Sequence, residues 1–467
     1  MAVEKLRKNC LIIVSISILM IIAFLISTYV RERFLSKKQT ALIQVNCSIV
    51  LGKTAKLLGL DNGPLGPHGW EDTAYTNNFT EAYRKIGVNF IRIHDLWEAA
   101  DIDVVFPDFN KDPYDEASYS FSSTDRHIAA MLRIEAQVIY RLGYSWSSPP
   151  KNNPPADYEK WATVCLQIVK HYNEGWAHGM NRTVRYWEVW NEPDIKEFWN
   201  GTLEEYFRLY DIVARKIKEY DSSLLVGGPT IAWDLNFLES FLQKCRDNGT
   251  PLDFVSWHIY TKNPYEIYSR AISVRSLMDE YGFSDKMSII TEWNIWKEES
   301  EPYEIFEKER SASFIASALT YLQDAKVDIA TFYRGDSWPW GGIFKDDGTP
   351  RKAYYVFIAL GEILENSFRV NCSTDMRNQP FATMAAKSED GKTVFLVVSN
   401  YGSEVDSHQV RISNLPWNEH AFTYELYVID ENTSLDLLAN GEGAGNIFEF
   451  GYNIKPYAVH ILKLKVK

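Results

Sequence analysis

Between residues 57 and 333 the chain alternates eight times between a short apolar run and a stretch patterned like a helix. The runs cover 57–62, 88–95, 136–144, 185–191, 224–228, 254–260, 287–292 and 329–333. Runs this short and this apolar suit strands covered on both faces, and each parallel neighbour needs a crossover helix. The clearest helix follows Pro154 and Pro155, with Trp161, Val164, Cys165, Ile168, Val169 and Tyr172 three and four residues apart on one inward face. Similar stretches occupy about 204–220, 235–247, 265–281, 303–325 and 351–365. The alternation predicts an α/β fold, a closed (β/α)8 TIM barrel over 51–367, with an open doubly wound sheet as the alternative.

Beyond residue 368 the texture changes to strands without intervening helices, at 382–386, 393–399, 409–412, 422–430 and 458–464, separated by polar turns such as 389–392. This predicts a C-terminal antiparallel β-sandwich over 368–467. Residues 31–50 form a linker whose strand-like part, 40–50, is expected to add an edge strand to that sandwich. Gly441-Glu442-Gly443-Ala444-Gly445 opens no helix, so it reads as a loop and not as a phosphate cradle.

Ahead of the linker, a basic flank of residues 1–9 precedes Cys10 to Val30, which carries no charge. At about 1.5 Å per residue such a stretch can cross a hydrocarbon core of about 30 Å. It predicts an N-terminal transmembrane helix retained as a single-pass signal-anchor, a cleaved signal peptide being the alternative. Basic residues flank both ends (Lys5, Arg7 and Lys8; Arg31, Arg33, Lys37 and Lys38), so charge alone does not orient the span. Asn46, Asn78, Asn181, Asn200, Asn248, Asn371 and Asn432 each begin an N-x-[ST] triplet, which favours an extracytoplasmic catalytic domain. Cys165 and Cys245 read as small buried hydrophobes; a bridge from Cys47 to Cys372 would tie the start of the exported part to the C-terminal region.

Composition narrows the partners. With 46% hydrophobic and 14% aromatic residues the chain is not a disordered one, and a net charge of −13 without any basic block argues against nucleic acid. Tryptophan and tyrosine, at 15 and 27 residues, suit a carbohydrate ligand with both flat apolar and polar surface. No histidine falls in a His-x-His or His-Glu-x-x-His pattern and no serine elbow is present, so no metal and no cofactor are expected.

In such a barrel the working side chains project from the C-terminal strand ends. Tyr186-Trp187-Glu188-Val189-Trp190-Asn191-Glu192-Pro193 puts Glu192 at the mouth of the fourth strand, and Ser288-Ile289-Ile290-Thr291-Glu292-Trp293-Asn294 puts Glu292 at the mouth of the seventh. Three strand positions around an eight-strand ring turn these carboxyls toward one another. A pair at about 5 to 5.5 Å serves retaining glycoside hydrolysis, one attacking the anomeric carbon while the other protonates the leaving oxygen. Glu188 shares the face of Glu192 by period two but lies deeper, as a supporting acid.

Trp190-Asn191-Glu192-Pro193 together with Thr291-Glu292-Trp293 resembles the retaining glycoside hydrolases of clan A, most closely glycoside hydrolase family 39, which includes β-xylosidases and α-L-iduronidases. The resemblance implies Glu192 as general acid/base, Glu292 as nucleophile, and Asn191 holding the sugar 2-hydroxyl. It implies that Arg92 and His94, in Ile91-Arg92-Ile93-His94-Asp95, contact the substrate or the nucleophile. In Trp257-His258-Ile259-Tyr260 it implies substrate-site roles for His258 and Tyr260, with Tyr260 donating to Glu292. Trp338, in Trp338-Pro339-Trp340-Gly341-Gly342, is a candidate stacking platform. The third-strand stretch 141–146 and the first-strand stretch 61–66 differ from the family pattern. The expected activity is therefore a membrane-anchored, β-xylosidase-like glycosidase; the alternatives are an endo-acting hydrolase or transglycosylase of an envelope polysaccharide, or a non-catalytic carbohydrate-binding barrel.

Overall fold

The computed structural model describes residues 20–22 and 39–467, other than 71, 73, 183, 377–379 and 418–419. Of the span expected over 10–30, only Met20 to Ile22 are described, as an exposed helical piece; the rest lies outside the described residues. Among the described residues no helix is long and apolar enough to cross a membrane.

The eight apolar runs form a closed parallel barrel. Its strands are β2 (Gly59–Asp61), β3 (Phe90–Ile93), β4 (Gln137–Leu142), β5 (Tyr186–Val189), β6 (Leu225–Ile231), β7 (Phe254–Thr261), β8 (Met287–Ile295) and β9 (Ile329–Phe332), each paired with its neighbours in sequence and β9 closing on β2. Helices α1 (Thr80–Ile86), α2 (Ser122–Leu132), α3 (Tyr158–Asn173), α4 (Leu203–Tyr220), α5 (Leu235–Asn248), α6 (Pro264–Glu280), α7 (Glu309–Leu322) and α8 (Lys352–Glu365) follow them in order. Their starts are marked by local chemistry: Asp157 accepts from the Lys160 amide, and Thr202 with Glu205 closes a reciprocal capping box. Inside the barrel, Phe90, Ile139, Tyr186, Phe254, Ile289 and Ile329 form an apolar floor. Period two then brings Arg92, Arg141, Glu188, Ser256 and Thr331, all buried, into the layer above it. The floor belongs to packing; the layer above belongs to the site.

Apart from a two-stranded ribbon of Leu65–Gly66 with Asn77–Asn78, the remaining strands form one nine-stranded sheet: β1 (Gln39–Lys53), β10 (Ser367–Thr374), β11 (Phe381–Ser388), β12 (Thr393–Asn400), β13 (Val405–Ser413), β14 (Ala421–Ile429), β15 (Ser434–Ala444), β16 (Ile447–Asn453) and β17 (Val459–Val466), in the order β15-β14-β17-β12-β11-β10-β1-β13-β16. The sheet folds over on itself as a sandwich, so that Phe422 on β14 packs on Phe448 of β16 and His408 on β13 meets His460 of β17.

Four expectations are corrected here. The segment expected as an edge strand is interior: its backbone pairs with β10 on one side and β13 on the other, while Ala41, Ile43, Val45 and Cys47 point into the sandwich core. Its pairing with β13 is parallel, so the sheet is not wholly antiparallel. The glycine-rich stretch 441–445 is not a loop but the end of β15: Gly443 faces Phe422 and Gly441 faces Tyr424, and a Cβ at either glycine would come within 2.5 or 2.7 Å of the facing ring. Cys47, Cys165, Cys245 and Cys372 are free thiols, and Cys372 stands opposite Val45 in the ladder, not opposite Cys47.

The sandwich is held to the barrel along α7. At the mouth end of that helix, Ser399 Oγ donates to the Ser313 carbonyl (2.9 Å) and the Tyr401 ring meets Phe314 at 5.7 Å. Past its other end, Arg369 pairs with Asp324. Strand β1 therefore begins on the mouth side, where Gln39 pairs with Val405, and ends at the floor side, where Lys53 pairs with Phe368.

Helix α8 and α1 close the outer ring through Gly361, where a Cβ would meet the Ile86 carbonyl oxygen at 2.3 Å. Helix propensity alone makes Gly361→Ala stabilising by about 1 kcal/mol, whereas overpacking of this kind costs about 1–3 kcal/mol. The contact should win, and thermal unfolding of Gly361→Ala is expected several degrees below the parent.

Candidate active site

The site is built around one buried cation. Arg92, on β3, sends its three nitrogens to three different acceptors: Nε donates to Glu188 Oε2 (2.6 Å), Nη1 to Glu292 Oε1 (2.6 Å) and Nη2 to Asn191 Oδ1 (2.8 Å). Asp61, wholly buried on β2, lies 3.8 Å from Nη1, and its carboxyl oxygens have no hydrogen-bond partner among the described residues; burial pushes its pKa well up despite the opposing Arg92 charge. Because Arg92 engages Asn191 through Oδ1, the Asn191 amide nitrogen is left buried and unpartnered, aimed to donate elsewhere.

Glu292 owes its direction to an irregularity in the ladder. Strict alternation from Ile289 would turn residue 292 outward, but the pairing of β8 with β7 slips between Ile290 and Glu292 and leaves Thr291 over. Such a bulge re-aims the following side chain. Glu292 then stands opposite His258, while Trp293 packs outward on Phe332 at 5.1 Å. Its second oxygen accepts from the Tyr260 hydroxyl at 2.5 Å. Burial pushes Glu292 up to about 7, against the downward pull of Arg92 and of the Tyr260 hydrogen bond.

Glu192 is set by a different device. Trp190 and Glu192 both have positive φ, 73° and 43°, a conformation costly for side chains of this size and one that concentrates at functional sites. The turn is held by the Glu192 amide donating to Thr230 O (3.0 Å) and by Trp190 Nε1 donating to Phe198 O (2.9 Å). Glu192 Oε1 lies 2.7 Å from His258 Nδ1, and no cation touches it. Burial first, and the Glu292 charge second, push its pKa well above the usual carboxylate range. His258 is held neutral by burial and by the Arg92 charge. His94 is neutral for the same first cause, with Arg141 second; Arg141 Nε donates to its Nδ1 (3.1 Å), which leaves the ring proton on Nε2, 3.2 Å from Asp95 Oδ1 and 3.7 Å from Glu292 Oε1.

An oxygen of Glu192, an oxygen of Glu292 and a nitrogen of His258 all lie within 4.8 Å of one another. Three such atoms could in number hold a metal ion, a grouping that the histidine spacing in sequence did not predict. Each is already engaged, however: Glu292 by Arg92 and Tyr260, and Glu192 by His258, and a cation there would sit beside a guanidinium. The donor set does not fit a resident metal.

Above the two glutamates opens a cavity of about 790 Å³. Of the sequence-predicted residues, Glu192, Glu292, His94, Tyr260 and Trp338 line it. Arg92, Asn191 and His258 do not; Arg92 bonds Glu292 and His258 bonds Glu192 from behind, and Asn191 bonds Arg92. Sequence reasoning missed Trp70, Trp97 and Trp146, which cluster with Trp338 on one wall, as well as Trp233 and Trp296 on another (centroids 6.1 Å apart). It also missed Asp95, whose carboxylate accepts from the Trp146 amide and from the Tyr333 hydroxyl, 2.8 Å each. Asp95 directly follows His94 at a strand end and was legible on that ground; the tryptophans sit on loops with no periodicity to place them.

Comparison with known proteins agrees with this geometry. The family model described as glycosyl hydrolases family 39 matches residues 55–424. The chain is 28% identical over 375 residues to a β-xylosidase of Caldicellulosiruptor saccharolyticus, covering 70% of this chain and 72% of that one. It is 27% identical over 330 residues to a β-xylosidase of Geobacillus stearothermophilus, covering 63% of each. Among solved structures, a glucosidase from Croceicoccus marinus superposes with a TM-score of 0.79 at 25% identity, over 92% of this chain and all of the other. With its match extending from the first barrel strand into the sandwich, the chain belongs to glycosyl hydrolase family 39 and is a glycosidase.

Proposed function

We propose that the protein cleaves a β-glycoside with retention by double displacement, with xylose as the first sugar to test because two of its relatives are β-xylosidases. The observation that carries this reading is the approach of the Glu192 and Glu292 oxygens within 4.8 Å, too close for a water to attack from the far side of a sugar ring. Glu292, whose ionised form Arg92 and Tyr260 favour against burial, attacks the anomeric carbon; Glu192, kept protonated, gives its proton to the departing oxygen as the glycosidic bond breaks. A glycosyl ester on Glu292 carries no charge, so the second cause of the raised Glu192 pKa disappears and the carboxylate can take a proton from the incoming water. Water's oxygen then bonds to the anomeric carbon as the ester C–O bond breaks, its electron pair restoring the Glu292 carboxylate. The Asn191 amide nitrogen, buried and without a partner among the described residues, supports the reading in which Asn191 holds the sugar 2-hydroxyl.

The same reading includes a single-pass anchor at 10–30 with the folded part on the exported side. Five of the sequon asparagines, Asn78, Asn181, Asn200, Asn248 and Asn432, are exposed, and Asn46 and Asn371 are half-buried, so none is closed to a modifying enzyme.

Glu292→Gln is expected to lower turnover of p-nitrophenyl β-xyloside and β-glucoside by roughly 10³-fold or more with an unchanged melting temperature. Glu192→Ala should be slowed by about 10²- to 10⁴-fold and rescued by azide as a β-glycosyl azide; full activity in both variants would overturn the two-glutamate mechanism, and a parent protein inactive on both glycosides would leave the non-catalytic barrel as the reading. Tyr260→Phe removes a bond to the ionised nucleophile, so the Glu292 pKa rises further. The acid limb of its kcat/KM profile should move up by about one to two pH units, given about 1.5–3 kcal/mol per such bond and 1.36 per unit. Alkaline carbonate extraction should leave the full-length chain in the membrane pellet; release to the supernatant would remove the anchor.

A further inference from the structure

The folded chain begins on the same side as the active-site opening. Gln39, the first residue of β1, pairs with Val405, whose carbonyl accepts from Asn400 Nδ2 at 2.8 Å. The neighbouring Ser399 and Tyr401 meet Ser313 and Phe314 in the first half of α7. That helix follows the loop leaving β8, so its first half lies at the mouth end of the barrel. Only residues 31–38 separate Gln39 from the uncharged segment that ends at Val30. Eight residues span at most about 28 Å. A chain anchored through 10–30 thus keeps the mouth-side end of the sandwich, and with it the barrel mouth, close to the bilayer.

The rim has the chemistry for that position. Among the described residues, the tryptophans classed as exposed are Trp70, Trp146, Trp233 and Trp296, at 38–52% exposure, and all four line the active-site cavity. Tryptophan rings concentrate at the headgroup level of membranes. Trp233 and Trp296 also bear on the leaving group. The Asp194 carboxylate, two residues beyond Glu192, accepts from the amides of Ala232, Trp233 and Asp234, which ties the Trp233 loop to the side of the site from which the acid protonates. An apolar aglycone fits there. With a net charge of −13, an uncharged or zwitterionic surface suits the chain better than an anionic one.

Resting on the anchored glycosidase proposed above, we infer that the active-site mouth faces the membrane holding the chain, and that the substrate is a glycoside whose aglycone is a membrane lipid. The first tryptophan in the sequence is Trp70, so the anchor itself contributes no indole signal. The test is to reconstitute the full-length protein into phosphatidylcholine vesicles with brominated acyl chains, recover it by flotation, and compare its tryptophan emission with that in unbrominated vesicles. Four rim indoles among fifteen predict a loss of roughly a quarter of the emission. Protein that floats with unchanged emission overturns the inference while leaving the anchor intact, and protein that does not float overturns both. In the same vesicles, hexadecyl β-xyloside and hexadecyl β-glucoside are supplied beside their soluble p-nitrophenyl counterparts. Cleavage of an embedded glycoside at least about tenfold faster in kcat/KM than by a detergent-dispersed sample is expected. Cleavage of the p-nitrophenyl glycoside without that of the embedded one sinks the lipid substrate and leaves the glycosidase standing. No cleavage of any of these points instead to failure of the catalytic reading, and with it of the lipid substrate.

Discussion

A guanidinium sealed inside a barrel is expensive to desolvate, and the site is organised by how that cost is met. Arg92 is wholly buried, and each of its bonds ends on a different acceptor: Glu188 below, Asn191 beside the acid, Glu292 across the mouth. A buried cation of this kind is tolerated only when its donors are paired with good geometry. Here the pairing also fixes distances, since the planar fork sets how far the end of β5 stands from β8. A lysine would supply the charge but not three bonds in one plane. The same cation divides the two catalytic carboxyls into unlike groups: Glu292 touches it and Glu192 does not. Their opposite roles in the proposed chemistry follow from that one contact, with the Tyr260 bond adding to the difference.

The backbone reaches this arrangement by breaking its own regularity twice. The slip in β8 turns Glu292 inward, and a matching slip in β6 between Pro229 and Ile231 leaves Thr230, at φ 62°, with its carbonyl free to accept from the Glu192 amide. Both departures occur at the C-terminal ends of strands, above the apolar floor whose packing is regular. Stability is thus concentrated at one end of the barrel and directional precision at the other, as the division of labour in such barrels requires.

This separation also explains what could be read from the amino-acid order. The eight barrel strands were legible because burial on both faces leaves continuous apolar runs, and the helices because Trp161 to Tyr172 and its counterparts keep one face. Glu192 and Glu292 were legible as acids at strand ends. The reason Glu292 points inward was not, since a bulge depends on pairing with β7 and leaves no local mark. The sandwich was read with gaps at β10, β15 and β16: β15 has no buried residue and β10 only Ser367 and Val370, so neither shows an apolar face, whereas β16 alternates Phe448, Phe450 and Tyr452 with exposed residues and was legible. Gly441 and Gly443 look like loop residues until Tyr424 and Phe422 are seen lying over them. The interior place of β1 was equally hidden, because a strand reads the same whether one or two neighbours flank it.

Tryptophan makes the limit plainest. Trp161, Trp187, Trp190, Trp199, Trp257 and Trp293 are fully buried, while Trp70, Trp146, Trp233 and Trp296 stand at the cavity rim. No difference in residue type separates the two sets, and the catalytic motifs themselves, Trp190 beside Glu192 and Trp293 beside Glu292, carry buried members. What separates them is the neighbour that each finds. Trp161, Trp187, Trp257 and Trp293, on helix α3 and strands β5, β7 and β8, are claimed by the core between barrel and helices, and Trp190 and Trp199, although in the segment after β5, cover one another at 5.0 Å; the rim indoles sit on mouth loops and keep much of their surface, with bonds such as Trp97 Nε1 to the Trp146 carbonyl holding those loops. Composition registers the total. Only the closure of the barrel decides which rings are left over to meet a ligand, and a chain that exposes all of these at one opening has concentrated its free apolar surface where its chemistry is.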